Sequence, residues 1–386
     1  MDKEEYLNIL DLGNYRIRLS VFDKNSKSRF SKNIPINFDC NYLHHFKDIS
    51  NLIKIAEKEI SSYIENIILT LDNHNLFSFD ISLTKKLNSN LEIKKIYEMI
   101  FLELKQIINF NYPEYQIIHI IIDNCIVDKK HYFDLPNNGI KTDNMKIDFK
   151  LICFPKKLIN EIRNNFSKNN LKIKNIFCTS YIKSHSYLKN IGRNNISFLD
   201  IGYKRCSLLT YQNEKLKFIQ TIPIGSFHIT QDISKVLKVD FDLAENLKKY
   251  FNLIENNFLK KSVNKDKFNV DEVFKKKISK ELLKKVILYR VQEIIDISYE
   301  RSNRLFYNYN ISDHDLFLLG EGSILFSNNS FNLEDKFEFN SINFYKENDV
   351  EICKSAIPFH LKYKKTPEIN NKKWGLFEKF FNFFSR

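Results

Sequence analysis

The sequence predicts an α/β chain of two halves built on a common plan, with a compact α+β unit inserted into the first half. Three observations carry this expectation. An apolar strand ending in Asp-x-Gly, with a second strand returning beside it, occurs twice: Asn8 to Gly13 followed by Tyr15 to Phe22, and Asn195 to Gly202 followed by Tyr203 to Tyr211. A unit that recurs within one chain points to duplicated halves, and two such turns facing each other can hold a phosphate chain between them. Around both units, short buried strands alternate with helices whose apolar residues recur at three- and four-residue spacing. Between residues 78 and 150 the pattern changes, with polar loops at both borders.

In the first half the hairpin leads to a helix from Asp48 to Tyr63, where Ile49, Leu52, Ile53, Ala56, Ile60 and Tyr63 make one apolar face, and then to the strand Ile67 to Leu71. The insert reads as strand Phe77 to Leu83, helix Leu91 to Asn109, strand Gln116 to Ile122, a polar loop at Pro136 to Asp143 and strand Lys146 to Cys153. The core pattern resumes with helix Lys157 to Phe166, strand Lys172 to Phe177 and helix Thr179 to Leu188. After the second hairpin come a strand to Ile224 and Gly225, helices Ile229 to Leu237 and Leu243 to Phe251, and a lysine- and asparagine-rich segment, Asn256 to Lys277, with a loop-like composition. A long helix then starts at Ser279 as N-cap and runs to Phe306, with Leu283, Ile287, Ile294 and Ile297 as its buried seam and Arg290 in the middle of it. The strand Leu316 to Leu319 precedes Gly320 and Gly322. Only eight glycines occur in the 386 residues, so those at strand ends mark places where a side chain is not tolerated.

The chain ends in a polar linker at 364–373 and then Trp374 to Arg386. On a helix advancing about 100° per residue, Trp374, Leu376, Phe377, Phe380, Phe381, Phe383 and Phe384 fall on one half of the wheel. Glu378, Lys379, Asn382, Ser385 and Arg386 fall on the other. An aromatic face flanked by lysines suits the interface of an anionic membrane. The formal net charge of +13 favours anionic partners in general. No zinc-finger spacing or aromatic RNA-binding motif accompanies it, so nucleic acid is not expected. Six scattered cysteines read as reduced packing thiols, and no metal-ligand spacing is complete. The longest apolar run is too short to span a bilayer, and no apolar stretch follows Met1 to Glu5, which predicts a cytoplasmic chain without a cleaved signal.

In this order the features resemble the bacterial cell-division protein FtsA, of the actin and Hsp70 ATPase superfamily. Asp11-Leu12-Gly13 looks like the first phosphate motif and Asp200-Ile201-Gly202 the second. Ile222 to Gly225 with Ile229 to Ile233 is similar to the following strand-turn-helix, Ala244 to Lys248 to the nucleoside helix, and Leu318 to Ser323 to the adenosine loop. The resemblance implies an actin-like (ribonuclease H-like) duplicated fold, with subdomain 1A at 1–77, 151–191 and 350–363, inserted subdomain 1C at 78–150, subdomain 2A at 192–248 and 301–349, and subdomain 2B at 249–300. It implies ATP with Mg in a cleft contacted by Asp11, Gly13, Asn14, Tyr15, Arg16, Asp200, Gly202, Tyr203, Glu245, Lys248, Gly320, Glu321 and Gly322. It also implies an FtsZ C-terminal tail meeting Arg290, self-association into actin-like filaments, other divisome proteins, and a peripheral place on the cytoplasmic face of the inner membrane at the division site.

The chain departs from the family after Gly202, where Tyr203, Lys204, Arg205, Cys206 and Ser207 replace glycines, threonines and an acid. Asn14 and Tyr15 stand where small hydroxyl residues are usual, and Glu321 replaces a glycine. No catalytic residue is assigned, and at most a weak ATPase is expected. The alternatives are an actin-like scaffold of a pilus-type assembly system and a small-metabolite kinase of the same superfamily.

Overall fold

The computed structural model describes residues 6–36, 45–132, 134–136, 141–249, 251, 279–305, 311–326 and 337–365. The Asn256 to Lys277 segment and the amphipathic stretch Trp374 to Arg386 lie outside them. The first half opens with β1 (Leu7–Leu12), β2 (Arg16–Phe22), β3 (Ser28–Pro35), α1 (Phe46–Ile60) and β4 (Asn66–Leu71). The insert comprises β5 (Phe77–Glu92), α2 (Ile93–Asn111), β6 (Tyr115–Val127), β7 (Lys130–Tyr132) and β8 (Lys141–Pro155). The chain then returns through α3 (Lys156–Lys168), β9 (Lys172–Cys178) and α4 (Thr179–Ile191). The second half holds β10 (Asn195–Ile201), β11 (Cys206–Gln212), β12 (Lys215–Ile222), α5 (Ser226–Leu237), α6 (Phe241–Lys249), α7 (Lys280–Leu305), β13 (Asp315–Leu319) and β14 (Ser341–Phe344). Helices α8 (Asp349–Lys354) and α9 (Ala356–Lys365) follow.

The duplication is explicit in the sheets. One is ordered β3-β2-β1-β4-β9 and the other β12-β11-β10-β13-β14. In each, the central strand pairs antiparallel with its hairpin partner and parallel with the strand on its other side. The central strand is therefore buried on both faces, which is why both read as nearly unbroken apolar runs. On β10, Ile196 and Phe198 join the core of the first half, whereas Leu199 and Ile201 face α5, α6 and α7. The insert has its own sheet, β5-β8-β6-β7, against which α2 buries Ile93, Ile96, Ile100, Leu104 and Ile108. Lys217 on β12 meets Asp123 of the insert at 2.8 Å, tying the insert to the second half.

Several boundaries differ from the expectation. β5 and β8 extend well past Leu83 and back before Lys146, pairing through Lys86 with Asn144 and Leu91 with Thr142. The extensions are mostly polar, and a ribbon with one solvated face tolerates this where a buried strand does not. Tyr203 to Arg205 form a turn instead of strand, because the Gly202 N–H donates to the Arg205 carbonyl at 2.9 Å and closes the hairpin there. Strand β14 and helix α8 were not anticipated, and α8 packs on β1, β2 and β3. Helix α9 continues to Lys365, so the first two residues read as linker are helical. Ser279 does cap α7, accepting the Leu282 N–H at 3.2 Å. The seam of α7 is Leu283, Ile287, Val291, Ile294 and Ile295, and Arg290 lies on its flank instead of within it.

His119 marks the joint between insert and first half. Its ring is 2% exposed, accepts the Cys178 N–H at Nε2 at 2.9 Å, and is walled by the rings of Phe177, Tyr181 and Phe359. Burial pushes it down to about 3 from 6.5, so it stays neutral in the fold while the unfolded chain takes up a proton. Its contribution is thus complete above pH 6.5 and drains as pH falls toward 3, by up to about 1.4 kcal/mol per pH unit. Urea unfolding at a series of pH values should show this slope, and His119→Gln, which keeps an acceptor for Cys178, should flatten it. Ile100→Ala, which empties a fully buried position of the insert, should cost about 2–5 kcal/mol in the same assay.

Candidate functional site: an ion-paired cleft between the halves

The two Asp-x-Gly turns bring the ends of β1 and β10 to a common cleft, a cavity of about 560 Å³. That volume is within the usual range for a small-molecule site. Asp11, Gly13, Asn14, Tyr15, Arg16, Asp200, Gly202, Tyr203, Gly320 and Glu321 all line it, so the sequence motifs converge. Gly322, Glu245 and Lys248 do not line it. Gly322 instead packs against Ile201 and Ser226, where a Cβ would meet the Ile201 carbonyl at 2.8 Å.

Asp11 is 2% exposed and its carboxylate is fully engaged. Oδ1 accepts from the Thr70 hydroxyl at 2.8 Å and the Thr179 hydroxyl at 2.9 Å, and Oδ2 accepts from Arg18 at 3.0 Å. These contacts follow from register, since Asp11 lies directly opposite Arg18 on β2 and Thr70 on β4. Arg18 also donates to Glu321 and Asp349, both at 2.5 Å, so one guanidinium serves three carboxylates. Burial works against its charge, but Asp11 and the other two acids hold it above the usual arginine range.

Asp200 is met by Lys183 of α4 at 2.9 Å, and the same ammonium reaches Glu347 at 3.1 Å. Glu347 in turn accepts the Gly320 N–H at 2.7 Å and the Tyr187 hydroxyl at 3.0 Å. Burial disfavours the Lys183 charge, yet Asp200 and Glu347 outweigh it and keep the group protonated. Gly320 is required here: its φ is +83°, and a Cβ would stand 2.5 Å from Asp200 Oδ1. The third pair joins Arg205, on the turn before β11, to Asp72 at the end of β4, at 2.7 Å. Burial alone would raise the Asp72 carboxyl, but Arg205 and the Ser180 N–H hold it below the ordinary range.

At the mouth, Tyr15 from the first turn and Tyr203 from the second lie 5.4 Å apart between ring centroids. Arg16 adds a bridge to Glu321 at 3.3 Å. Glu245 and Lys248 sit behind this wall and are committed to each other at 2.6 Å, with Thr230 bonded to both and the Ser226 carbonyl accepting from Lys248. Against the cost of burial, Lys248 holds Glu245 below the usual carboxylate range. The expected ribose and base contacts are therefore not presented to the cleft. Arg290 lies outside it, forked onto Asp232 of α5 and bonded to Glu293.

The expected ligand can be tested against these donors. ATP with magnesium needs carboxylates free to hold the metal, here through water, and turns open to phosphate. Asp11 and Asp200 already carry a cation each, and tyrosine rings meet where the two turns face each other. Among the described residues no group of three or more His, Cys, Asp or Glu side chains is arranged to hold a metal ion. The site has the size of a nucleotide cleft, but its donor set does not fit the metal complex as it stands. Sequence reading missed Arg18, Asp72, Lys183, Glu347 and Asp349; only Arg18 had a local signal, its place opposite Asp11 in a countable hairpin register.

Comparison with known proteins agrees with the architecture. Residues 197–355 match the family model described as Cell division protein FtsA. Cell division protein FtsA of Helicobacter pylori is 27% identical over 133 residues, which are 34% of this chain and 27% of that protein. The FtsA of Streptococcus pneumoniae serotype 2 is 24% identical over 188 residues, 48% of this chain and 40% of that one. The chain thus aligns with well under half the length of these curated relatives. Among solved structures, a chain of the PilM-PilN type IV pilus biogenesis complex superposes with a TM-score of 0.60 at 13% identity, covering 93% of this chain and 98% of that one, which shows the shared fold. On these matches residues 197–355 are similar to FtsA, and the chain as a whole has the actin-like fold.

Proposed function

We propose that this chain acts as a mechanical scaffold of cell division, linking FtsZ filaments to the cytoplasmic membrane and helping to assemble the divisome. The observation that carries the reading is the FtsA match over 197–355, a span that includes the second sheet, α5, α6 and α7. The C-terminal sequence supports the membrane part, with seven apolar residues from Trp374 to Phe384 on one helical face and Lys372, Lys373, Lys379 and Arg386 around them. Among the described residues no helix is long and apolar enough to cross a membrane. A single short helix of this kind binds lipid reversibly, and copies aligned on a filament bind with avidity.

In this scheme FtsZ's acidic tail docks beside α7 in the 249–300 region. Arg290 is its cation: the guanidinium is only partly buried, and a tail carboxylate would exchange with Glu293, the more exposed of its two acids. Self-association into actin-like filaments would multiply both the lipid and the FtsZ contacts. No step of this scheme runs through nucleotide chemistry. The likeness to the PilM-PilN chain favours a second reading, an assembly scaffold that grips the tail of an integral membrane protein instead of lipid.

Deleting Trp374 to Arg386 should leave thermal unfolding unchanged and abolish sedimentation with anionic vesicles. Equal pelleting of both forms would reject Trp374 to Arg386 as the lipid anchor, and failure of the unaltered protein to pellet would favour the second reading. Arg290→Ala should weaken binding of a synthetic FtsZ tail peptide by about tenfold in fluorescence anisotropy, the scale of one charge-assisted hydrogen bond. An unchanged affinity would remove Arg290 from the interface.

A further inference from the structure

The cleft is crossed by ion pairs that belong to the chain itself. Arg205 of the second half meets Asp72 of the first at 2.7 Å, with side chains 12% and 0% exposed. Lys183, on the helix between the two sheets, meets Asp200 at 2.9 Å and Glu347 at 3.1 Å. Arg18 of the first half meets Glu321 of the second at 2.5 Å. A cleft organised for a metal-phosphate bridge leaves its facing groups to be satisfied by that ligand. Here Asp72, Asp200, Glu347 and Glu321 are each met by a lysine or arginine of the chain itself.

In the closed arrangement Asp72 and Asp200 as whole residues are 4% and 7% exposed, and each takes its cation from the opposite half, so the halves must stay docked for these buried carboxylates to remain paired. The backbone is fitted to this arrangement as well. Gly225 lies under the second turn so closely that a Cβ would stand 2.6 Å from the carbonyls of Gly202 and Tyr203, and the Gly320 N–H is taken by Glu347. We propose that the protein's own cations close this cleft: Arg205, Lys183 and Arg18 hold the two halves together in place of a metal-phosphate bridge, and the docked state needs no nucleotide. The inference does not depend on the division-site reading. It makes engagement of partners independent of nucleotide state, whichever partners those are.

Two measurements on the full chain test it. In the first, thermal unfolding of the unaltered protein is followed with millimolar ATP and magnesium, with ATP and a chelator, and with neither. The midpoint should move by less than about 2 °C among the three; a larger rise that requires ATP with magnesium, as mass action gives for a ligand well above its dissociation constant, overturns the proposal. In the second, hydrogen exchange is compared between the unaltered protein and the paired variant Arg205→Gln with Lys183→Met. The amides of Ser180 and Gly320, which donate to Asp72 and Glu347, should exchange at least tenfold faster, while those of Leu10 and Leu199 keep their rates. Unchanged protection at Ser180 and Gly320 also overturns it. Should the variant not fold, the nucleotide measurement on the unaltered protein decides alone.

Discussion

Two aspartates stand at the ends of the two central strands, and the neutralisation of their charge is the constraint on which the rest of the structure depends. Asp11 and Asp200 are both buried, because β1 and β10 are covered on both faces and carry their last side chains into the interior. A buried carboxylate must be paired, and the pairs chosen here reach across the chain: Arg18 links Asp11 to Glu321 and Asp349, and Lys183 links Asp200 to Glu347. Buried ion pairs of this kind add little net stability compared with apolar packing, but they are expensive to break. Their effect is to specify how the halves face each other, while the stabilisation comes from the apolar cores on either side of each sheet.

Much of the fold was legible because burial on two faces writes itself into composition. The hairpins, the parallel partner strands and the helical faces of α1, α2 and α3 were visible as apolar runs or as three- and four-residue spacing. Polar strand extensions escaped, since residues such as Lys86 and Asn144 pair through the backbone regardless of side chain. Strand β14 has four half-buried residues and no alternation to read. The site was legible in outline and not in chemistry. Both Asp-x-Gly turns and Gly320 line one cleft, yet Arg18 finds Glu321 across 303 positions and Lys183 finds Glu347 across 164. Only the tertiary fold supplies those distances. Lys183 in particular sits on α4 among buried residues that sequence alone reads as an ordinary helix.

The same residues explain why architecture and ligand chemistry separate in this chain. A strand, a glycine turn and a returning strand are needed to build the sheet whether or not phosphate binds. Tyr15, Tyr203 and Arg205 occupy the space between the turns, and the glycines accommodate neighbouring backbone and carboxylate atoms of the chain itself. In the proposed scaffold role, orientation of the halves is a fixed property, and control passes to avidity at the membrane and to filament length.

The most direct test of the central claim is a calorimetric titration of the full-length protein with ATP in the presence of magnesium. The self-neutralised cleft predicts heats indistinguishable from dilution at every ratio. A saturable, magnesium-dependent isotherm with one site per chain would contradict it.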